Sequence, residues 1–361
     1  MRILDRYIMV KFLKSLILVV SIILPVGIAI DISEKIDKFI KHTDLTLWVI
    51  IRDYYQHFII TYGNQFLPLA IFIAVIWFTS KMAQNTEIIA IHSARISFHR
   101  LLFPYMLTAG MLAVFLLYMN HFVVPSSNAK FTWFNDYYIR NKKDKTLIRN
   151  ISLQIGKGDY VYIRNYRLKD DTGSHFVYEH YDGEKLRYSL KASSIQWLKK
   201  DSVYRLKNYY KRYIRDGRDL IKTGRQMDTL FNFHPKDVQY IDHLAKEMTS
   251  PKLKEFIELS RNRGIKNLNP YVVELKKRTS LPFSAFILTI MAVSLSARKR
   301  RGGVGLNLAL GFGLAFTYIF FMKIAEVMGA VTGANTTLWV WMPNIIFSIV
   351  AYFVYRQAAI R

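Results

Sequence analysis

The residues best placed to do chemistry fall in three clusters. The first is Asp31-Ile-Ser-Glu-Lys-Ile-Asp-Lys-Phe-Ile-Lys41. Asp31, Glu34 and Asp37 could serve as acid and base groups in a membrane enzyme acting on a lipid-linked substrate, and Lys35, Lys38 and Lys41 could hold the phosphates of an anionic lipid. The same spacing lets Asp31 pair with Lys35 and Glu34 with Lys38 across one helical turn, giving a salt-bridged helix end. Pairing is the preferred reading for the acids; for the lysines both readings stay open. The second cluster is Lys81-Met-Ala-Gln-Asn-Thr-Glu-Ile-Ile-Ala-Ile-His-Ser-Ala-Arg95, with Glu87 at its centre. The third is His175 and His180, which bracket one short run; no further ligand stands at a recognised metal spacing, so they read as exposed histidines. The sequence contains no GxxxxGK[ST], GxSxG, HExxH or GxGxxG motif. Any ATP that drives this chain must therefore be bound by a separate subunit, and no cofactor is expected in the chain itself.

The second cluster reads as a short helix. Asn85 or Thr86 can cap it, Glu87 sits in the first turn where the helix dipole favours an anion, and Ile88, Ile91 and Arg95 can share a face. Two roles are open: a helix lying on the membrane surface, or a coupling helix inserted into a groove of a cytoplasmic ATPase through Glu87.

The first two clusters sit at the ends of apolar stretches suited to span a membrane. The chain has 361 residues, 52% hydrophobic and 15% aromatic yet 21% charged, a mixture that implies both membrane and water-exposed segments. Six stretches suit helical spans of roughly 20 residues. Phe12 to Ile30, His57 to Phe78 and Leu101 to Val124 form one group of three; Thr279 to Ala297, Val304 to Met322 and Leu338 to Tyr355 form another, with Gly329 to Thr337 turning between the last two. The start reads as a retained anchor, since no small-residue cleavage site follows Ile30. Basic residues place both termini and the two short loops in the cytoplasm: Arg2, Arg6 and Lys11; Lys81, Arg95 and Arg100; Arg298, Lys299, Arg300 and Arg301; Arg356 and Arg361. The long stretch between spans three and four is then outside. Pro25, Pro68, Pro104 and Pro282 kink or edge the spans, and Gly305, Gly311 and Gly313 allow close helix approach or a mobile interface.

In the long stretch the periodicity becomes that of strands. Ile151 to Ile155, Tyr160 to Ile163, His175 to His180 and Lys185 to Leu190 cluster β-formers, with Asp182-Gly183 and Asp216-Gly217 as turns, predicting a sandwich or open barrel from about Asn150 to Tyr240. From Ser250 a short amphipathic helix follows, with Leu253, Phe256, Ile257 and Leu259 on one face and Gly264 as its stop. The formal charge of +25 suits an anionic membrane surface or an acidic ligand better than nucleic acid in such a chain. Lys199, Lys200, Arg205, Lys207, Lys211, Arg212 and Arg215 read first as a solvated basic surface. With no cysteine, the outer domain must be stable without disulfides.

Together, Leu4-Asp-Arg-Tyr-Ile8, Asn85-Thr-Glu-Ile-Ile-Ala-Ile-His-Ser93, Glu274-Leu-Lys-Lys-Arg-Thr-Ser-Leu-Pro282 and the three-plus-three layout resemble the LptF/LptG lipopolysaccharide export permeases, with the opening leaning toward LptG. The resemblance covers essentially the whole chain. It implies an α-helical membrane bundle of six transmembrane helices with an inserted all-β, jellyroll-like periplasmic domain. Residues 1–124 would carry spans one to three and a coupling helix near 84–96, residues 125–250 the periplasmic domain, and residues 251–361 the linking helix and spans four to six. It further implies a non-enzymatic permease of the bacterial inner membrane that extracts lipopolysaccharide. Its partners would be a second LptF/LptG-type permease, an LptB-like ATPase dimer that uses the ATP, and LptC-like and LptA-like periplasmic proteins. The family's coupling glutamate matches Glu87, so Glu87, Ile88, Ile91 and His92 are assigned to ATPase coupling. Lys35, Lys38 and Lys41 are assigned to lipid, with Asp31 where the family leads one to expect a lysine. Arg95 stands where the family commonly has a small residue. A related extruder of another lipid or lipoprotein, or a mechanotransmitting permease, is the alternative.

Overall fold

In the computed structural model, the described residues are all except 1–2, 43–44, 141–146, 157, 168, 200–201, 215–218, 236–243, 263–267, 299–302, 332 and 360–361. The expected Asp216-Gly217 turn, the Gly264 stop, and Arg2, Lys200, Arg215, Lys299, Arg300, Arg301 and Arg361 lie outside the described residues. The chain divides into two compact units, one of residues 1–135, 245–253 and 269–361, the other of residues 136–244 and 254–268.

Among the described residues six helices are long and apolar enough to cross a membrane, at the expected places. They are α1 (Ile3–Ile40), α2 (Leu47–Gln84), α4 (Phe98–Ile139), α7 (Asn269–Ser296), α8 (Gly303–Ala330) and α9 (Thr336–Ala359). The short α3 (Glu87–Ser93) joins α2 to α4, and α5 (Leu244–Glu247) and α6 (Ser250–Asn262) precede α7. At 1.5 Å per residue α1 is about 57 Å long, far more than the roughly 30 Å of a hydrocarbon core. The apolar runs give only the membrane-spanning middle of the first three helices; their polar and aromatic continuations pack on one another beyond it. There Phe39, Tyr54, Phe131 and Phe134 form a cluster, with Tyr54 5.1 Å from Phe131 and 5.2 Å from Phe134 between ring centroids.

Within the bundle α2 and α7 are central, and their small buried residues Ala70, Ala74, Ala285 and Ala292 let neighbouring backbones approach. Polar side chains join helices where no water could serve them: Asn307 Nδ2 donates to Ser80 Oγ at 2.9 Å, Tyr318 OH to Asn344 Oδ1 at 2.7 Å, and Asn344 Nδ2 to the Ser280 carbonyl at 2.8 Å. Of Gly305, Gly311 and Gly313 in α8, Gly311 faces α2, and a methyl there would overlap the Ile76 side chain. Gly305 and Gly313 have open space in front of them.

The second unit holds one antiparallel sheet in consecutive order, β1 (Leu147–Gly156), β2 (Asp159–Arg167), β3 (Thr172–Asp182), β4 (Lys185–Leu198), β5 (Val203–Tyr213) and β6 (Leu220–Thr229). The Asp182-Gly183 turn forms between β3 and β4, with Gly183 at φ +62°, a region open to glycine without a Cβ clash. The domain is jellyroll-like in that one face collects the apolar side chains: Val161, Ile163, Phe176, Leu190, Ile195, Tyr204 and Leu206 are buried. After β6 the chain covers part of that face, since Phe231 lies 5.1 Å from Phe176 and Phe233 4.6 Å from Tyr204. In α6 the expected apolar face needs one correction. Leu253 and Ile257 are buried and Phe256 partly so, but Leu259 is 49% exposed and Ser260 takes its place, because six residues carry Leu259 well round the helix from Leu253.

Candidate functional site

The short helix expected after the second span is α3, and its two ends are set by backbone geometry. Thr86 occupies the capping position at φ +62° but its side chain makes no cap; its hydroxyl donates instead to the Asn85 carbonyl at 2.6 Å. At the other end the helix stops before Arg95, which adopts φ +58°. Arg95 N–H donates to the His92 carbonyl at 2.9 Å and Ile96 N–H to the Ile91 carbonyl at 3.4 Å, the paired bonds of a Schellman motif. Arg95 therefore fills the left-handed position that glycine favours, and does not share a helical face with Ile88 and Ile91.

Burial sorts the expected coupling residues. Ile88 is 2% exposed inside the bundle core and Ile91 packs against that core. Ile89, Ala90, His92 and Ser93 form the uncovered side. His92 Nδ1 lies 3.0 Å from the Ile96 carbonyl, so its ring is oriented. Glu87 is fastened within the chain: it accepts from Tyr7 OH at 2.8 Å and from Lys11 Nζ at 3.0 and 3.1 Å. Burial opposes its charge, but the hydrogen bonds from Lys11 and Tyr7 and the Lys11 charge outweigh it and hold the carboxyl below its ordinary value. One turn earlier on α1, buried Asp5 meets Arg100 through two contacts, Nη1 to Oδ1 at 2.7 Å and Nη2 to Oδ2 at 2.8 Å. The opening Leu4-Asp-Arg-Tyr-Ile8 is thus a fastener, tying the start of α1 to α3 through Tyr7 and to the start of α4 through Asp5. A lone acid amid basic residues was the available signal for Asp5, but partners 76 to 95 residues away leave none in local spacing.

At the opposite end of the bundle the three lysines separate. Lys35 pairs with Asp31 and donates to Tyr54 OH at 2.6 Å; Tyr54 OH in turn donates to Asp31 Oδ2 at 2.9 Å, and Tyr55 OH reaches the same oxygen at 3.4 Å. The i,i+4 pair expected for Asp31 and Lys35 is present, closed over by two tyrosines. Lys38 and Lys41 are exposed, as are Glu34 and Asp37, so Asp31 sits apart from the other two carboxylates in environment. In the sheet, His180 Nδ1 is 2.6 Å from Asp159 Oδ1 and His175 is exposed; among the described residues no group of three or more His, Asp or Glu could hold a metal.

The run Glu274 to Pro282 supplies a third set of contacts. Arg278, 3% exposed, donates to the carbonyls of Ala245 at 2.7 Å and Met248 at 2.8 Å and to Ser250 Oγ at 3.0 Å, and pairs with Glu274. It thereby holds the α5–α6 connection against α7, a task for a rigid five-donor fork that lysine could not duplicate.

The fastened α3, the buried α5–α6 anchor and the six helices divided around a sheet give each of the sequence runs singled out above a place in one architecture. A comparison with curated proteins finds no match. Across residues 6–357 the chain matches the family model for the lipopolysaccharide export system permease LptF/LptG, and it belongs to that family.

Proposed function

We propose that the chain is the transmembrane permease subunit of an ABC transporter that extracts lipopolysaccharide from the inner membrane and hands it to a periplasmic bridge toward the outer membrane. The family match over nearly the whole chain carries this reading. In it both termini and α3 face the cytoplasm and the sheet is periplasmic, in keeping with the basic short loops. An LptB-like ATPase dimer hydrolyses the ATP, and a second LptF/LptG-type permease, with LptC-like and LptA-like proteins beyond, completes the path.

Two observations support the assignment of α3 as the coupling helix. Its uncovered side presents Ile89 and His92 to a partner groove, and Glu87 ties the helix to Tyr7 and Lys11 of α1. A push on α3 is thereby delivered to α1, whose apolar window is only 22% buried, as is that of α8. These two helices have surface left for a second permease or for lipid. Removing acyl chains from a bilayer costs about 0.8 kcal/mol per CH₂, so the receiving sheet must offer an apolar face. The face of Val161, Phe176, Leu190 and Leu206 suits that task once Phe231 and Phe233 yield.

For the lipid-contact lysines, Lys38 and Lys41 carry the proposal, while Lys35 is already neutralised by Asp31. The test is transport of lipopolysaccharide in proteoliposomes with Lys38→Ala/Lys41→Ala. Loss of transport with ATPase binding intact supports lipid contact; full transport removes these lysines from the path. A mechanotransmitting permease would share the α3 linkage and need neither lysine.

A further inference from the structure

The membrane unit holds a partly open cavity of about 280 Å³ lined by α2, α4, α5, α7 and α8 that the export reading does not use. Its lining changes character in one direction. On α7 it runs from Glu274 and Lys277 to Leu281 and Leu288, and on the antiparallel α8 from Glu326 and Lys323 to Ile319 and Ala315. At 1.5 Å per residue the path covers about 21 Å on α7 and about 16 Å on α8. Both helices place charge at the same end and hydrocarbon at the other. At the charged end Lys277 Nζ and Lys323 Nζ share one carboxylate, Glu326 Oε2, at 3.1 and 3.0 Å. Lys246 lies in the same lining and Glu274 is paired with Arg278, so the three lysines against Glu326 leave a net positive site.

The lining also contains two deeply buried amides, Asn64 at 8% exposure and Asn120 at 7%. Asn120 lies in a widened helical segment, Met119–Val123, that breaks the regular turn of α4. Asn64 Nδ2 donates to Asn120 Oδ1 at 2.8 Å, which leaves Asn64 Oδ1 and Asn120 Nδ2 without a partner in the protein. Thr61 Oγ1, on the same wall, is unpartnered as well. This acceptor and donor are buried within the wall itself, and a ligand offering both functions would satisfy them once the two amides turn toward the cavity.

Cation, then amide pair, then hydrocarbon is the order of a phosphate, a glycerol with its hydroxyl and ester, and an acyl chain. We propose that this cavity binds one anionic glycerophospholipid, with its phosphate at Lys277 and Lys323, its glycerol and ester oxygens at Asn64 and Asn120, and a single acyl chain along Leu281, Leu288 and Ile319. The cavity is partly open, so its roughly 280 Å³ takes the glycerol and the first part of one acyl chain while the rest of the lipid extends out through the open side. The bound lipid would brace α8 against α2 and α7, independently of whatever the permease exports.

The test uses the full chain purified in mild detergent, with monopalmitoyl lysophosphatidylglycerol as probe and monopalmitoylglycerol as its uncharged counterpart, read by native mass spectrometry and thermal shift. The expected result is one bound lysophospholipid per chain and a raised Tm. Lys277→Gln/Lys323→Gln/Glu326→Gln should weaken the lysophospholipid at least tenfold and leave monopalmitoylglycerol unchanged. Asn64→Leu/Asn120→Leu replaces both members of the polar pair by apolar groups, so the fold is kept, and should abolish both. Retained binding in the leucine variant would put the lipid on the outer surface and overturn the proposal. So would water alone in the cavity, or one-for-one displacement of the probe by lipid A, which would assign the phosphate contacts to the exported glycolipid.

Discussion

Replacing Lys11 by Ala should loosen α3, though less than replacing Glu87, because Lys11 is one of the two side chains of α1 that fasten Glu87. At 3.0 Å the Lys11–Glu87 attraction is about 1.4 kcal/mol in water and about 5.5 kcal/mol at an effective dielectric of 20. The side chains keep 33% and 27% of their exposure, so solvent screening and the entropy of holding a lysine pull the net value toward the low end, about 1 kcal/mol. The charged hydrogen bond from Tyr7 adds about as much again. Hydrogen exchange of the Ala90 and Ala94 amides, which close α3, reports the opening equilibrium directly. Lys11→Ala should lower their protection about fivefold, and Glu87→Ala about tenfold or more because it also releases Tyr7. In the double variant the loss should match that of Glu87→Ala alone, a coupling of about 1 kcal/mol. Lys11→Glu/Glu87→Lys should recover part of it. Additive losses, or an unaffected Lys11→Ala, would refute the fastener and leave Glu87 to act by direct contact with a partner. The linkage also sets a pH window. The folded carboxyl titrates below its ordinary value of 4.5, so its contribution is complete above that value and is lost as pH falls through the lower folded pKa. Protection should therefore be flat from about pH 6 to 8.

Three further outcomes follow from local geometry. Arg95→Gly relieves a left-handed residue at the end of α3 and should stabilise that turn by about 1 kcal/mol, seen as increased protection of the Ile96 amide. Gly311→Leu should overpack α8 against Ile76 and Phe72 at a cost of about 1–3 kcal/mol and a lower Tm, whereas Gly313→Leu, facing open space, should leave the Tm of the single chain unchanged. Asp31→Asn removes the partner of the partly buried Lys35 and should cost about 3 kcal/mol, measured by thermal unfolding. If instead Asp31→Asn and Asp37→Asn leave the fold intact and abolish a chemical activity, the membrane-enzyme reading returns.

The six spans were legible because hydrocarbon imposes length and apolarity on each one, and the β3–β4 hairpin because Asp182-Gly183 states its turn. β5 and β6 were hidden by their charge: Lys207, Lys211 and Arg212 dominate β5, although Tyr204 and Leu206 two residues apart point to one buried face. Glu87 was legible in the first turn of a short helix, and its fastening to Tyr7 and Lys11 was not, since periodicity reports a helix face but not the distant chain that covers it. Ile88 illustrates the same limit. An apolar residue on a short exposed loop looks available to a partner, yet its own bundle takes it in. Lys35 was read both as an ion pair and as a lipid contact, and Tyr54 and Tyr55, from the next helix, are what favour the pair.

The most direct test of the account is affinity purification of the chain in mild detergent, followed by mass spectrometry of the proteins and lipids retained. An export permease should retain a cytoplasmic ABC ATPase, a second permease of the same family and lipopolysaccharide, with less ATPase recovered from Lys11→Ala and Glu87→Ala. An ATPase recovered without glycolipid would contradict the export reading and favour mechanotransmission. Recovery of neither, under conditions that preserve a control complex, would contradict the account at its centre.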